Sequence, residues 1–325
     1  MHVIYASNNA YAQFLGISML SLFDNNQDLE EIIVYILAEG INAENVGFLH
    51  HIANEYGRRI EFIDISEFEK QIQFDFNTGG YNSIVLSRLF LGNILPADIE
   101  CVLYLDCDII VNGSIRELEE ISLQDNLIAA VPELYMPNEK KALIGLKKEE
   151  IYYNAGVLLI NLTLWRSENL EKNFKDYYHS MNGQLLYNDQ DIINHCCKGQ
   201  ILTLSHTYNL STNLFYFPRY YVKQIQPAYD TSESDTYSQI LSSPVIIHYM
   251  GDERPWIAGN YNKYRRQYDY YLNRSPWKNE PLIQGQRIYM LCYHVLNLIT
   301  LICPWFRTMF SRMIGVNRYV WFRKK

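Results

Sequence analysis

Three short runs of β-branched and apolar residues, 2-HVIYAS-7, 32-IIVYIL-37 and 59-RIEFIDI-65, are separated by stretches of helical periodicity. That alternation restricts the fold more than any other feature of the chain. Tyr11, Phe14, Leu15, Ser18, Met19 and Leu22 fall on one helix face, and a second helix is expected around 43–56. A β-α-β-α-β order requires crossover connections, which make neighbouring strands parallel and cover both faces of the sheet. Right-handed crossovers then predict an α/β domain with a mainly parallel, Rossmann-like central sheet and helices on both faces.

Further along, 83–94 reads as a helix stopped by Pro96, and 101-CVLYLDCDIIV-111 as a strand. The continuous apolar runs 127-LIAAV-131 and 155-AGVLLINL-162 suit central strands, 169–181 and 191–197 suit helices, and 244-PVIIHY-249 suits a late strand. Between about 205 and 243 the chain is rich in Tyr, Ser, Asn and Pro without periodicity, and a functional loop over the sheet edge is expected there. Tyr216, Phe217, Tyr220 and Tyr221 in that stretch could stack on a ligand or pack against the core. No internal repeat is visible.

The two ends differ in charge. The net charge is −8, yet no acid follows Glu280, whereas Arg287, Arg307, Arg312, Arg318, Arg323, Lys324 and Lys325 contribute +7, which leaves −15 on the remainder. An acidic body disfavours nucleic acid as a partner. The segment 288-IYMLCYHVLNLITLICPWF-306 carries no Asp, Glu, Lys or Arg, but His294, Asn297, Thr300 and Pro304 weaken it as a membrane span, and basic and aromatic residues follow it. An interfacial helix on an anionic membrane surface is expected, with a helix packed on the core as the alternative. This divides the chain into a body, 1–275, and a C-terminal attachment segment, 276–325. The first residues have neither the basic lead nor the apolar core of an export signal, so the Asn-X-Ser/Thr sites at Asn112, Asn161, Asn209 and Asn273 read as chance. Six cysteines without a regular framework fit a reducing compartment.

Within 101–111, Asp106 and Asp108 interrupt an otherwise apolar run. In an open α/β sheet, ligands gather beyond the carboxyl ends of strands, and residues i and i+2 of an extended chain face the same side. Two buried carboxylates that close repel and resist ionisation unless a cation joins them. A divalent metal therefore accounts for the pair. A helix cap, a turn and the nucleophile of a haloacid-dehalogenase-type phosphohydrolase are competing readings of Asp-X-Asp, although in such enzymes the motif usually ends the first strand of the domain.

The pieces 103-LYLDCDIIV-111, 153-YNAGVLLINLTLWR-166, 187-YNDQDIIN-194 and 247-IHYMGDERPW-256, with Tyr5-Ala6 and Arg88 in 85-VLSRLFLG-92, resemble family 8 retaining glycosyltransferases of the GT-A fold. That group includes bacterial lipooligosaccharide galactosyltransferases and glycogenin, and the resemblance covers roughly 1–275. It implies a retaining hexosyltransferase using a UDP-hexose, galactose or glucose, and a saccharide or glycolipid acceptor, in lipopolysaccharide-like glycan synthesis; the basic, aromatic C-terminal segment would hold it at the inner face of the cell membrane. Mn²⁺, or Mg²⁺, would be held by Asp106, Asp108 and His248. Ala6 and Asn8 would line a uracil pocket; Arg88, Cys107, Gly251 and Arg254 would meet the donor; Glu133, Asn154, Ala155 and Asp189 would surround the sugar. Gln190, with Asp189, would be catalytic.

Three positions depart from the pattern: Asn8 and Glu133 where Asp is common, and Arg254 where Lys is common. An amide still offers an acceptor, and a guanidinium keeps the charge while changing the geometry. Without metal chemistry, His248 in the apolar run 245–247 would read as a core histidine, and Asn188 or Asp189 as a helix N-cap. A non-catalytic sugar-nucleotide-binding protein is the remaining alternative.

Overall fold

The computed structural model describes residues 1–66, 83–230 and 237–312; Arg318, Arg323, Lys324 and Lys325 lie outside the described residues. Among these the strands are β1 (His2–Asn8), β2 (Ile33–Glu39), β3 (Arg59–Asp64), β4 (Cys101–Leu105), β5 (Ile109–Val111), β6 (Ile128–Pro132), β7 (Tyr153–Asn161), β8 (Ile201–Thr203), β9 (Leu210–Ser211) and β10 (Ile246–His248). Seven of them form one sheet in the order β3-β2-β1-β4-β7-β6-β8, and three form a second in the order β5-β10-β9. In the larger sheet β3, β2, β1 and β4 run parallel, as do β6 and β8, while β7 is antiparallel to β4. This is the mainly parallel α/β sheet expected from the alternation.

The chain divides into two units that interleave along the sequence. One comprises Met1–Cys107, Ser114–Val131 and Tyr153–Leu204, and the other Asp108–Gly113, Pro132–Tyr152 and Ser205–Lys325. The first contains the large sheet. Val3, Ile4, Val34, Ile36, Leu103, Leu105, Val157 and Ile160 are all buried in it, as strands covered on both faces must be. Helix α1 (Ala12–Asp24) buries Phe14, Leu15, Ser18, Met19 and Leu22 but also Ala12, Ile17, Leu20 and Phe23, so it is covered nearly all round, and Tyr11, expected on its face, precedes it and is exposed; α2 (Ala43–Glu55) is capped by Asn42, whose side chain accepts from Asn45 N–H at 2.8 Å.

The structure departs from the sequence expectations in three places. Residues Ser83–Phe90 wind as a 3₁₀ helix, and only Leu91–Ile94 is α-helical. Ser87 Oγ and Arg88 Nε each bond the carbonyl three residues back, which favours the tighter winding. The run 101–111 is two strands: β4 ends at Leu105, Asp106 N–H makes one last bond to the Gly156 carbonyl, and after a turn at Cys107-Asp108 the chain enters the second sheet as β5. Finally, 205–230 is built from short 3₁₀ turns, β9 and the helix Arg219–Ile225 instead of irregular loop. Elements this short carry too few turns for a periodic signal.

Candidate active site

At the carboxyl end of β4, Asp106 is oriented by two donors. Arg88 Nη2 lies 2.8 Å from its Oδ1, and the Tyr104 hydroxyl donates to the same oxygen at 3.0 Å. Arg88 is nearly fully buried, has its guanidinium carbon over the Tyr104 ring 4.3 Å from the centroid, donates through Nη1 to the Ala155 carbonyl at 2.7 Å, and has Nε 3.2 Å from Asp189 Oδ2. Burial works against its charge, but Asp106, Tyr104 and Asp189 outweigh it and hold the pKa above the ordinary guanidinium value. One buried arginine thus links the acid of the first motif to an acid of the third.

Asp189 and Gln190 stand in the first turn of α3 (Asn188–Cys196). The N-cap is Tyr187, not Asn188 or Asp189, and makes no side-chain cap bond. Asp191 instead secures the turn by accepting from the N–H groups of Leu186 and Tyr187, both at 2.9 Å. Asn188 enters the helix at φ 38°, a left-handed conformation that asparagine tolerates. The helix is clamped to β7 by Asn194, whose carboxamide accepts from Tyr153 N–H at 2.7 Å and donates to the Tyr153 carbonyl at 2.8 Å. That clamp brings Gln190 Oε1 onto Ala155 N–H at 3.0 Å, while Asn154 Oδ1 accepts from Gly156 N–H at 2.8 Å. Burial, opposed by Arg88 and reinforced by Asp106, pushes the Asp189 carboxyl up to about 6.

In the second unit the β5–β10 register places His248 opposite Ile109, and Tyr249 N–H donates to the Asp108 carbonyl at 2.9 Å. His248 Nε2 lies 3.1 Å from Asp108 Oδ1, and Nδ1 lies 2.9 Å from Asn209 Oδ1. With an amide oxygen at Nδ1 and a carboxylate oxygen at Nε2, both ring nitrogens face acceptors, which suits a doubly protonated imidazole, or Nδ1–H together with a cation between Nε2 and Asp108. That contact is favourable only when a proton or a cation is shared between them. Burial resists ionisation of Asp108, but His248, by charge and hydrogen bond, and then Arg254 hold its pKa below the usual carboxylate range.

A single residue, Cys107, separates Asp106 from Asp108, and ligand atoms of Asp106, Asp108 and His248 all lie within 4.8 Å of one another. The turn, not the pleat of a strand, brings the two carboxylates together. Two carboxylate oxygens and an imidazole nitrogen suit a hard or borderline divalent cation, and Asn209 supplies the outer hydrogen bond that metal-binding histidines need. The donor set fits a divalent cation.

The other expected site residues divide between the units. In the first, Asn8 ends β1 and uses its side-chain oxygen to accept from Tyr11 N–H at 3.2 Å, and the Ala6 carbonyl accepts from Cys107 Sγ at 3.3 Å. In the second, Glu133 N–H bonds the Tyr152 carbonyl, its Oε1 accepts from Leu134 N–H, and its own carbonyl accepts from Gln226. Gly251 has φ 65°, and nothing lies within 4 Å of where a Cβ would stand, so glycine is required by the backbone turn and leaves open space beside it. The buried Nε of Arg254 has no hydrogen-bond partner among the described residues.

Sequence reasoning overlooked Tyr104, Asn194 and Asn209. Tyr104 stands two residues before Asp106, so strand periodicity could have found it, and Asn194 stands one helical turn after Gln190. No local signal marks Asn209, which reaches His248 across 39 positions.

The profile of glycosyl transferase family 8 matches residues 2–259. Among sequence relatives, a putative glycosyltransferase of Haemophilus influenzae is 30% identical over 65% of this chain and 63% of its own length. A lipopolysaccharide 1,2-glucosyltransferase of Escherichia coli K12 is 26% identical over 86% of this chain and 80% of its own. A crystal structure of the galactosyltransferase LgtC in complex with donor and acceptor sugar analogs superimposes with a TM-score of 0.70 at 26% identity, covering 85% of this chain and 96% of that one. The α/β architecture is accordingly the GT-A fold, and with 2–259 matched the chain belongs to glycosyl transferase family 8.

Proposed function

We propose that the chain is a metal-dependent, retaining hexosyltransferase that moves galactose or glucose from a UDP-sugar to a hydroxyl of a saccharide or glycolipid. The product would be an α-glycosidic bond in cell-surface glycan synthesis. One observation carries the reading: Asp106, Asp108 and His248 converge, and Arg88 ties Asp106 to the Asp189-Gln190 pair. Similarity to a lipopolysaccharide 1,2-glucosyltransferase and to LgtC supports hexose transfer.

Asp106, Asp108 and His248 would hold Mn²⁺ or Mg²⁺, which when bound supplies positive charge to a leaving diphosphate. Arg254 directs a buried N–H that a phosphate oxygen would satisfy, and the open space at Gly251 admits the diphosphate beside the backbone. Ala6, Asn8 and Cys107 would border the uracil, with Glu133, Asn154, Ala155 and Asp189 around the sugar. Gln190 Oε1 is already engaged by Ala155 N–H, so its weak nucleophilicity as an amide is lowered further. Substitution on the front face is the better route. The acceptor oxygen bonds to the anomeric carbon on the side from which UDP departs, the carbon–phosphate-oxygen bond breaks, and the acceptor proton passes to a diphosphate oxygen. Gln190 then steadies the positive character of the sugar. Asp106 is poorly suited to nucleophilic attack on a phosphate ester, because Arg88 and Tyr104 both occupy its Oδ1.

We further propose attachment to the inner face of an anionic membrane through α4 (Arg287–Ile302) and its continuation through 304–312. No helix among the described residues is long and apolar enough to cross a membrane. The buried positions of this segment are Met290, Tyr293, Asn297, Thr300, Pro304 and Thr308, most of them polar, whereas Ile288 and Ile302 are 81% and 85% exposed and Leu291, Leu298, Trp305 and Phe310 also face outward. An amphipathic helix with its apolar side outward fits a lipid interface. Arg307 is engaged internally and Arg312 pairs with Glu139, so Arg287 is the basic residue of the described segment left to meet lipid phosphates.

UDP release from a panel of UDP-sugars, with Mn²⁺ and with chelator, tests the reaction without knowledge of the acceptor. Metal-dependent release from UDP-galactose or UDP-glucose, abolished by Asp108→Asn, is expected. Turnover of simple phosphate esters at an equal rate, read as release of inorganic phosphate, would overturn the proposal.

A further inference from the structure

Glu253 lies between Gly251 and Arg254 in the loop after β10, and its side chain is fully buried. A buried carboxylate persists only when its oxygens are hydrogen-bonded. Asn262 Nδ2, from the same loop, donates at 2.8 Å. The other donors come from the C-terminal segment: the Tyr293 hydroxyl at 2.6 Å and Asn297 Nδ2 at 3.2 Å. Behind them the Arg307 guanidinium donates to Asn297 Oδ1, to the Tyr293 hydroxyl and to Asn213 Oδ1, the last two at 3.2 Å.

The contact is not confined to Glu253. Tyr289 donates its hydroxyl to Asp252 Oδ2 at 2.9 Å, and His294 Nε2 accepts from Tyr261 N–H at 3.0 Å. Ile283 exchanges backbone bonds with Trp256 and Ala258, each at 2.9 Å. Residues 252–261 are therefore held from Ile283 to Asn297 by side-chain and backbone bonds, starting one residue after the left-handed turn at Gly251. The face of α4 that makes these bonds carries Tyr289, Tyr293 and Asn297, which explains why Asn297 interrupts an otherwise apolar run.

We infer that Tyr289, Tyr293 and Asn297 are positioning residues for donor binding: through Asp252 and Glu253 they hold the loop so that Arg254 meets the diphosphate. The inference rests on the donor reading above and adds a role for the C-terminal helix that attachment alone would not require. Two conservative variants test it. Tyr293→Phe removes the donor to Glu253 and keeps the ring; Tyr289→Phe changes a half-exposed residue and leaves the core intact.

The full-length protein with Mn²⁺ is titrated with UDP in a calorimeter. Loss of a hydrogen bond to a charged, buried group predicts a Kd raised about tenfold for Tyr293→Phe and about threefold for Tyr289→Phe, with unchanged stoichiometry. A merely structural role would lower the binding-competent fraction, hence the stoichiometry, and leave Kd alone. Wild-type binding with unaltered Kd in both variants overturns the inference by itself. Absence of UDP binding to the wild type overturns the donor reading and this inference with it.

Discussion

Replacing Asp189 by Asn should make the metal-free protein more stable at neutral pH while impairing it as an enzyme. The Asp189 side chain is only 14% exposed, and although Arg88 Nε lies 3.2 Å away, burial and the nearby Asp106 dominate and raise its pKa from 3.8 to about 6. The folded state therefore holds a proton that the unfolded state has released, between about pH 3.8 and 6. Stability from this group is present below 3.8, declines as pH rises through that window, and is fully lost above it. A shift of roughly two units corresponds to about 3 kcal/mol, and the residual exposure makes about 1–3 kcal/mol a fair range. Asparagine imitates the neutral acid and keeps the volume, so the variant should gain that amount at pH 8. The assay is thermal and denaturant unfolding of both proteins in chelator at pH 4, 6 and 8. A gain of a few degrees in Tm at pH 8 that vanishes at pH 4 is expected. If the Asp189→Asn variant is no more stable than the wild type at pH 8, or if the difference is the same at every pH, then Arg88 compensates the carboxylate fully and the electrostatic argument is wrong. Sites that combine catalysis with strained charge commonly trade stability for activity in this way.

Asn209→Ala removes the partner of His248 Nδ1, and Mn²⁺ affinity should fall roughly tenfold or more, measured by metal titration with UDP present; unchanged affinity would mean the Asn209 contact does not orient the ligand. Gln190→Ala strands the Ala155 N–H and should cost about 1–3 kcal/mol of unfolding free energy, together with turnover but with little change in UDP affinity. Loss of UDP binding in step with turnover would contradict the role given to Gln190. Ile288→Ser combined with Leu298→Ser removes exposed apolar surface without touching the buried stripe, and should abolish sedimentation with anionic vesicles while leaving Tm unchanged. Retained sedimentation would contradict attachment through α4. Truncation before Gln284 is a poorer test, because it also removes the donors that satisfy Glu253.

Local sequence patterns carried the fold far. The runs at 2–7, 32–37 and 59–65 became β1, β2 and β3, and the helices between them appeared where periodicity placed them, because alternating apolar runs leave few ways to cover both faces of a sheet. The short 3₁₀ segments around Arg88 and along 205–230 escaped detection, since two or three turns carry no resolvable period and their side-chain-to-carbonyl bonds depend on neighbours. Among the candidate site residues, Asp106, Asp108 and His248, which the structure brings together, and Asp189 and Gln190 were singled out from motifs. Their partners Tyr104, Asn194 and Asn209 were not recognised.

By itself, the sequence determined that a mainly parallel α/β sheet would form and that two acids would stand at the end of its fourth strand. Tertiary structure alone decided that those acids meet through a turn between two sheets, that Arg88 links Asp106 to Asp189, and that Asn209 holds His248. It also decided which side of the C-terminal helix faces inward: composition read 288–306 as apolar, but the buried charge of Glu253 draws Tyr293 and Asn297 toward it and leaves the aliphatic face outside. The physical reason is common to all of these. Backbone pattern is a local property of the chain, whereas the hydrogen-bond partner that a buried charge requires can come from any residue the fold brings within about 3 Å.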